Sequence, residues 1–161
     1  MNRLIRLGVA SGLAVISVAS FAQGGPPPGG PPNPDKTAIE TRQGLFKLIS
    51  NQYGPVGAMM RPGGTFNAEL AGRNAARVKV LAEMIPELFA RDTRQYTEVK
   101  TRALEGIWNS QADFKAKADG LASAADALVA AAKTGDQATV QKAATEVGKA
   151  CGACHDNFRA K

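Results

Sequence analysis

The apolar residues from about position 35 onward recur every three or four positions, which is the period of a helix that buries one face. The last segment shows this period most clearly, because its inward positions step alternately by four and three: Val140, Ala144, Val147, Cys151, Cys154 and Phe158. Asp136 precedes this segment as a favourable N-cap, and Gly135 is suited to end an earlier helix. Strand-like alternation is nearly absent, so the pattern predicts helices.

The first helical segment begins at Asp35 and ends at Arg61-Pro62-Gly63-Gly64. Gly54-Pro55 lies inside it and predicts a kink, because proline removes one backbone hydrogen bond of the helix. Its predicted inward positions are Ile39, Arg42, Phe46, Ile49, Tyr53, Val56 and Met60. Arg42 is the one charged residue among them.

Two further helical segments lie between the first and the last. One begins after its cap Asn67 and breaks or bends at Pro86; the other begins after the candidate cap Ser110 and closes at Gly135. Their inward positions are Leu70, Val78, Leu81 and Met84, followed by Phe114, Ala118, Leu121, Ala125 and Leu128. The polar connection between them, residues 91–108, is long enough to carry a short helix. The whole pattern predicts an all-α fold, an antiparallel four-helix bundle.

The N-terminal residues follow a different pattern. Arg3 and Arg6 precede an uncharged apolar run from Leu7 to Ala19, and Ser20-Phe21-Ala22 offers small residues where a signal peptidase cleaves. The run is too short for a permanent membrane span. We predict that residues 1–22 are a secretory signal peptide cleaved before Gln23, with a retained anchor as the alternative. Cleavage lowers the formal charge from +6 to +4, because it removes two arginines and no acid.

Residues 24–34 contain ten glycines or prolines in eleven positions. Such a composition forms neither a helix nor a central strand, so we predict that residues 23–34 are a solvated tether and that residues 35–161 form the folded domain. A ligand for a proline-recognition module is the alternative. The basic balance of the chain comes without a run of Lys and Arg or interleaved aromatic residues, and we therefore expect no nucleic-acid binding.

The only two cysteines and the only histidine of the 161 residues lie together in Cys151-Gly152-Ala153-Cys154-His155. Cys-x-x-Cys-His is the spacing of c-type haem attachment, in which two thiols bond to the haem vinyl groups and the imidazole ligates the iron. On a helix the three side chains face one partner. A zinc site lacks a fourth ligand, a redox dithiol lacks a βαβ setting, and a disulfide at this spacing is awkward inside a helix.

We therefore predict one covalently bound haem c, packed inside the bundle near the C-terminus of the fourth helix. Haem is attached to c-type apocytochromes outside the bacterial cytoplasm, which agrees with the predicted signal peptide. The expected location is the periplasm of a bacterium, with no membrane span after cleavage.

These residues resemble the class II c-type cytochromes, and among them the cytochromes c′. Residues 148–159 around the haem motif are similar to the end of that family, residues 41–46 to its first-helix Arg-Gln signature, and Ile107-Trp108 with Phe114 to the start of its third helix. The resemblance covers residues 35–161 and implies a homodimer formed through the first two helices.

The resemblance also implies roles for single residues. Cys151 and Cys154 form the thioethers, and His155 is the axial ligand of the iron. The other residues implied at the haem are Arg42 and Gln43 at a propionate, Thr101 and Arg102 at the haem edge, Trp108 packed nearby, and Phe158 and Arg159 at the proximal face.

Independent physical arguments bear on two of these residues. Arg42 on an inward face needs an anion, which a propionate supplies, although a surface-facing arginine is the alternative. Arg159 can equally be an ordinary cation at the C-terminus of a helix.

The residue at position 46 determines whether the iron has a ligand on the side opposite His155. In the related low-spin cytochromes c-556 a methionine at this position ligates the iron, whereas Phe46 has no lone pair to donate. Met59 and Met60 lie 13 and 14 residues further on, roughly 20 Å along a helix. Met84 remains the alternative ligand. We expect a five-coordinate, predominantly high-spin haem whose apolar lid favours NO and CO over dioxygen, because bound dioxygen benefits from a hydrogen-bond donor.

Two functions follow as alternatives. The first is NO sequestration, and the second is one-electron transfer with a redox partner that the sequence does not identify. Lys142, Lys149, Arg159 and Lys161 are candidates to steer an acidic partner, with an ordinary solvated helix face as the favoured alternative. A low-spin electron carrier of the c-556 type with a methionine ligand is the other alternative for the whole chain. No acid–base group accompanies the haem motif, so we do not expect an enzyme.

Overall fold

The computed structural model describes residues 30–161. Within them the helices are α1 (Pro34–Met59), α2 (Ala68–Glu83), α3 (Ile85–Leu88), α4 (Gly106–Asn109), α5 (Gln111–Ala132) and α6 (Gln137–Phe158). The described part of the chain contains no strand, only an isolated antiparallel bridge between Ala103 and Arg159. The predicted signal peptide and residues 23–29 of the predicted tether lie outside the described residues.

Helix α1 begins at Pro34, because Asn33 caps it. The Asn33 side-chain oxygen accepts hydrogen bonds from the backbone N–H groups of Asp35 at 2.9 Å and Lys36 at 3.2 Å. Proline in the first turn fits this start, since its missing N–H has no helical partner there. Pro55 lies within α1 and does not end it.

Helix α2 begins as predicted, because the Asn67 side chain accepts the N–H of Leu70 at 2.8 Å. Its end agrees with the prediction from Pro86: α2 stops at Glu83 and the short helix α3, which contains Pro86, follows it. Met84, predicted on the inward face, instead caps the end of α2 and is 44% exposed. The proline shifts the chain out of the helical phase from which that prediction was made.

The cap of α6 is confirmed, because the Asp136 carboxylate accepts the N–H of Thr139 at 2.8 Å. Helix α5 ends at Ala132, and Gly135 then turns the chain with a positive φ of 69°. Ser110 occupies the predicted cap position of α5, where its backbone carbonyl accepts the N–H of Phe114 at 3.0 Å, although its side chain makes no capping hydrogen bond. The short helix expected between residues 91 and 108 corresponds to α4, which extends one residue further.

Helices α1, α2, α5 and α6 form the predicted four-helix bundle. Helix α2 packs closely on α5, because buried alanines such as Ala71, Ala75 and Ala125 have small side chains that let the two helices approach. At Gly72 a side chain would come within 2.9 Å of Ala132. Helix α5 also packs on α6, and α1 on α2, but α1 and α6 make little direct contact. The bundle is therefore tight on the α2–α5 side and open between α1 and α6.

Candidate functional site

A cavity of about 1280 Å³ opens between α1 and α6. This exceeds the range of about 300–1,000 Å³ that is usual for small-ligand pockets. Large apolar side chains from five parts of the chain line it: Phe46, Ile49, Ile85, Phe89, Ile107, Phe114, Leu121 and Phe158. The space suits a large, flat, mostly apolar group.

Helix α6 brings Cys151, Cys154 and His155 to this cavity together. Both cysteines are half-buried free thiols. Burial raises the pKa of both, and the neighbouring Cys151 raises that of Cys154 further. Both therefore remain neutral S–H groups at neutral pH. The predicted inward face of the last helix is confirmed.

His155 lies beside Arg159 at the mouth of the cavity. The Arg159 Nη1 atom is 3.2 Å from His155 Nδ1 and 3.3 Å from Nε2, so the guanidinium lies against the ring rather than pointing at one nitrogen. Partial burial lowers the pKa of His155, and the positive charges of Arg159 and Arg102 lower it further. The neutral imidazole that results keeps the lone pair that a metal ion requires.

The donor set fits a haem rather than a bare metal ion. Among residues 30–161 no group of three His, Cys, Asp or Glu side chains lies close enough to hold a metal. Two thiols three residues apart and one adjacent imidazole match the two covalent bonds and one axial bond of haem c. The apolar cavity beside them supplies the space for the ring.

Phe46 lines the cavity from α1 and is half-buried. Its ring lies edge-on to Phe89, with 6.2 Å between centroids and 62° between planes. Met59, Met60 and Met84 do not line the cavity. Met84 sits at the exposed end of α2, so this arrangement gives no support to the alternative in which Met84 ligates the iron.

Arg42 is buried, with 4% of its surface exposed, but its partners differ from the anion that its burial suggested. Its guanidinium donates to the Leu88 carbonyl and the Thr93 hydroxyl at 2.7 Å each, and to the Arg91 carbonyl. It also lies 4.6 Å above the Phe89 ring. The argument that only an anion could satisfy this cation was wrong, because neutral oxygens and an aromatic face do so here. Arg42 still reaches the cavity lining, so a propionate contact stays a prediction.

Gln43 and the segment before α4 form one edge of the cavity. The Gln43 side-chain amide donates to the Lys100 carbonyl at 2.9 Å, which ties α1 to this segment. Thr101 and Arg102 line the cavity as exposed residues. The Arg102 carbonyl accepts the N–H of Ala160 at 2.8 Å, so the same segment is also tied to the end of α6.

Trp108, expected to pack near the haem, does not itself line the cavity. Its indole N–H donates to the Phe89 carbonyl at 3.0 Å, and its ring lies 6.2 Å from that of Phe89. Trp108 thus packs behind Phe89, one layer away from the cavity. The similarity of Ile107-Trp108 to the family's third helix identifies the segment but not which residue faces the cofactor.

Among the cavity residues that were not assigned to the site from the sequence, two bear directly on its structure, Tyr53 and Phe89. Tyr53 was placed on the inward face of α1, and its hydroxyl donates to the Ala144 carbonyl at 2.8 Å, which joins α1 to α6 deep in the bundle. Burial raises the pKa of Tyr53, as does the nearby Cys151. Phe89 follows Pro86 in a region without helical period, and no sequence signal pointed to it.

The charged side chains around the cavity are all cations. No Asp or Glu contributes to its lining. We call the exposed or half-buried cations of this lining the cationic rim; they are Lys47, Lys100, Arg102, Lys117 and Arg159. None of them belongs to the ion pairs found within residues 30–161. Of the four cations proposed from the sequence to steer a partner, only Arg159 lies on this rim.

A four-helix bundle with two thiols and an imidazole on the inner face of its last helix defines a class of c-type cytochrome. The family model described as Cytochrome C′ matches residues 37–159. The chain belongs to this family, whose members carry one covalently attached haem c and act as haem carriers in electron transport.

Two relatives illustrate the range of the match. A cytochrome c′ from Rubrivivax gelatinosus is 42% identical over 77% of this chain and 95% of its own length. A cytochrome c-556 from Agrobacterium tumefaciens is 34% identical over 76% of this chain and 97% of its own length. Because both kinds of cytochrome match, overall similarity does not decide the second axial position of the iron.

Solved structures agree with the fold. The structure of cytochrome c′ from Rubrivivax gelatinosus aligns with a TM-score of 0.69 at 40% identity, covering 78% of this chain and 97% of that one. A nitric oxide complex of a mutant cytochrome c prime from Alcaligenes xylosoxidans aligns with a TM-score of 0.68 at 27% identity, covering 79% and 97%. A cytochrome c′ with ligand-controlled dimer dissociation aligns at 0.72 with 28% identity, covering 81% and 100%.

Proposed function

We propose that this protein is a periplasmic haem protein with a five-coordinate, predominantly high-spin iron that binds NO and CO on the side covered by Phe46. The observation that carries the proposal is the position of Phe46 on the α1 side of the cavity. Phe46 stands there, and within residues 30–161 no methionine sulfur and no second imidazole reaches the cavity. When bound, the haem supplies an iron with one open position and one-electron redox chemistry.

Three of the polar side chains that line the cavity support this selectivity. Arg42, Gln43 and Tyr53 each donate hydrogen bonds to backbone carbonyls. These bonds engage their donor groups within the protein rather than with a ligand beside Phe46. Dioxygen gains from such a donor, whereas NO and CO depend on it less. The nitric oxide complex of the Alcaligenes relative shows that a protein of this fold can bind NO.

Phe46→Ala and Phe46→Met test the proposal from two directions. In the ferrous holoprotein, Phe46→Ala is expected to accelerate CO association by about tenfold or more, because it removes the ring that covers this side of the iron. A factor of ten corresponds to about 1.4 kcal/mol of activation free energy. Phe46→Met is expected to give a low-spin ferric spectrum with a methionine–iron band. Phe66→Ala is the matched control, since Phe66 packs on the core without lining the cavity.

Two results contradict the proposal. One is a low-spin ferric spectrum of the wild type with a methionine–iron band, which supports the c-556-like alternative. The other is a Phe46→Ala variant that binds CO no faster than wild type, which removes the role of Phe46 as a lid.

Electron transfer is the second candidate function, and the cationic rim favours it. Five cations without carboxylates around the cavity mouth attract an acidic redox partner or an anionic reagent. We expect Lys47→Gln/Lys100→Gln to slow oxidation of the ferrous protein by ferricyanide more than Lys133→Gln/Lys142→Gln does. Both pairs remove the same charge, but Lys133 and Lys142 lie away from the cavity. Equal rates in the two double variants contradict a steering role for the rim.

We also propose a homodimer through α1 and α2, where Leu48 and Val80 are exposed apolar side chains. The relative with ligand-controlled dimer dissociation has this fold. Leu48→Asp/Val80→Asp is expected to halve the mass in sedimentation, whereas Leu104→Asp, an exposed position outside both helices, is not. A wild-type protein that sediments as a monomer contradicts the proposal.

Export and processing complete the proposal. In residues 30–161 no helix is long and apolar enough to cross a membrane. We propose that residues 1–22 are removed, that residues 23–32 tether the haem domain, which begins with the Asn33 cap of α1, and that the mature protein works in the periplasm. Mass spectrometry of the protein from a periplasmic extract is expected to show Gln23 as the first residue; an intact N-terminus contradicts this.

A further inference from the structure

Phe89 is the side chain against which the Phe46 lid rests. It follows α3 directly, lines the cavity and is only 5% exposed. Its ring centroid lies 5.0 Å from that of Phe114 and 6.2 Å from those of Phe46 and Trp108. Three aromatic rings therefore surround Phe89, and only one of them, Phe46, belongs to α1.

Arg42 holds Phe89 in this position. Its guanidinium lies 4.6 Å over the Phe89 ring. It also donates to the carbonyls of Leu88 and Arg91 and to the Thr93 hydroxyl, so that residues 88–93 curve around it. A cation over an aromatic face is attractive, and hydrogen bonds from a charged donor are stronger than neutral ones. Phe89 is thus fixed between the guanidinium on one face and Phe114 on another side.

Arg42 and Phe46 lie one helical turn apart on α1. The same helical turn therefore carries Phe46, which is the lid, and Arg42. We call the contacts of Arg42 with residues 88–93 the clamp, because they hold Phe89 behind the lid. A ligand that enters beside Phe46 needs the Phe46 ring to rotate. On one side this rotation is limited by the Phe89 ring, which has little freedom to move away.

We propose that Phe89 is a specificity-determining residue of the gas-binding site and that Arg42 is its positioning residue. Phe89 limits how far the Phe46 ring opens, and it thereby sets the rate at which diatomic ligands enter. This inference rests on the proposed function, because it requires Phe46 to be the lid. It differs from an effect of cavity volume, in which Phe89 acts on the ligand independently of Phe46.

A double-mutant cycle on the ferrous holoprotein separates these two mechanisms. Phe89→Leu is expected to accelerate CO association roughly three- to tenfold, within the range that loss of an edge-on aromatic pair allows. In the Phe46→Ala background the same substitution is expected to change the rate less than twofold. Phe89→Ile provides a second variant that brings no donor atom into the cavity, and Phe66→Leu is the control for a phenylalanine outside the cavity. Absorption spectra and covalent haem content show that each variant is loaded.

Arg42→Lys extends the cycle, because lysine keeps the charge but not the planar set of donors. It is expected to accelerate CO association in the presence of Phe46 and to have no effect in Phe46→Ala. A structural defect alone lowers the stability in both backgrounds but does not make the rate effect depend on Phe46.

The outcomes distinguish the inference from the proposed function. If Phe46→Ala accelerates CO association and the Phe89 variants do not, the inference is wrong and the lid remains. If the Phe89 variants accelerate it equally with and without Phe46, Phe89 acts through cavity volume and the inference is wrong. If Phe46→Ala itself has no effect, the lid fails, and the inference fails with it.

Discussion

The two walls of the cavity are built in opposite ways. The α6 wall carries its chemistry within five consecutive residues, Cys151 to His155, which one helix brings to the cavity. The α1 wall carries Phe46, whose surroundings come from Phe89 and from the clamp that Arg42 forms with residues 88–93. The nature of the cofactor is thus determined locally, whereas access to its other face depends on contacts between residues more than forty positions apart.

The largest effect is expected on the α6 wall. Cys151→Ser/Cys154→Ser removes both covalent bonds to haem, so the purified protein is expected to carry no covalent haem, as measured by intact mass and by extraction into acidified butanone. The single variant Cys151→Ser keeps one thiol and serves as the intermediate. Covalent haem in the double variant contradicts the assignment, because the chain contains no other cysteine.

The next largest effect is expected on the α1 wall. Arg42→Leu leaves the carbonyls of Leu88 and Arg91 and the Thr93 hydroxyl without their donor, and we expect a loss of about 3–5 kcal/mol in the free energy of unfolding. Urea unfolding of the holoprotein, followed by helical circular dichroism, measures it. Arg77→Leu is the control, since Arg77 is exposed and bonds only the Gln52 side chain. Equal losses in the two variants contradict the clamp.

A smaller effect tests the point where the two walls meet. Tyr53→Phe removes the hydrogen bond from α1 to the Ala144 carbonyl of α6 and is expected to cost about 1 kcal/mol in unfolding free energy. Tyr96→Phe is the matched control, because the Tyr96 hydroxyl bonds the Glu98 carboxylate two residues away. CO association is expected to stay unchanged in Tyr53→Phe; a large acceleration shows that the lid depends on this contact as well.

The smallest effect concerns the local start of α6. Hydrogen bonds from the Thr139 side chain and backbone N–H lower the pKa of Asp136. Because the pKa is lower in the folded state, the ionised Asp136 carboxylate stabilises the fold fully above the ordinary aspartate pKa of about 3.9. This stabilisation is lost as the pH falls through the lower pKa of the folded state.

Asp136→Asn keeps a capping oxygen but does not titrate. Its melting temperature is therefore expected to lie close to that of the wild type at pH 7 and to fall less between pH 5 and pH 3. Melting curves of both proteins across this range test the expectation. A parallel decline in the two proteins contradicts the titration of the cap.

The contrast between features set within one helix and features set by contacts between distant segments explains how far the sequence predicts the structure. The bundle, the caps Asn67 and Asp136 and the inward position of Cys151 follow from spacing and from single residues near each helix end. Ser110 shows the limit of that approach, because a suitable residue stood at the cap position without making the bond. Helical period and capping are local properties, and they were predicted well where the chain was regular.

The rest depends on how separate segments meet. The period of α2 placed Met84 inward, but Pro86 breaks the phase and leaves it exposed. Trp108 and Phe89 could not be ranked from the sequence, because only the packing shows that Phe89 lies at the cavity and Trp108 behind it. The cationic rim is assembled from α1, α5, the segment before α4 and the end of α6, and no stretch of sequence contains it.

The position of the two thiols on the last helix has a consequence for the order of events during biosynthesis. Chains are made from the N-terminus, so residues 34–132, which carry α1 to α5, are synthesised before Cys151 and Cys154. Most of the cavity lining is therefore made before the two thiols that are expected to anchor the haem. The covalent bonds would join the haem to the last helix of the chain, which is the helix that completes the cavity.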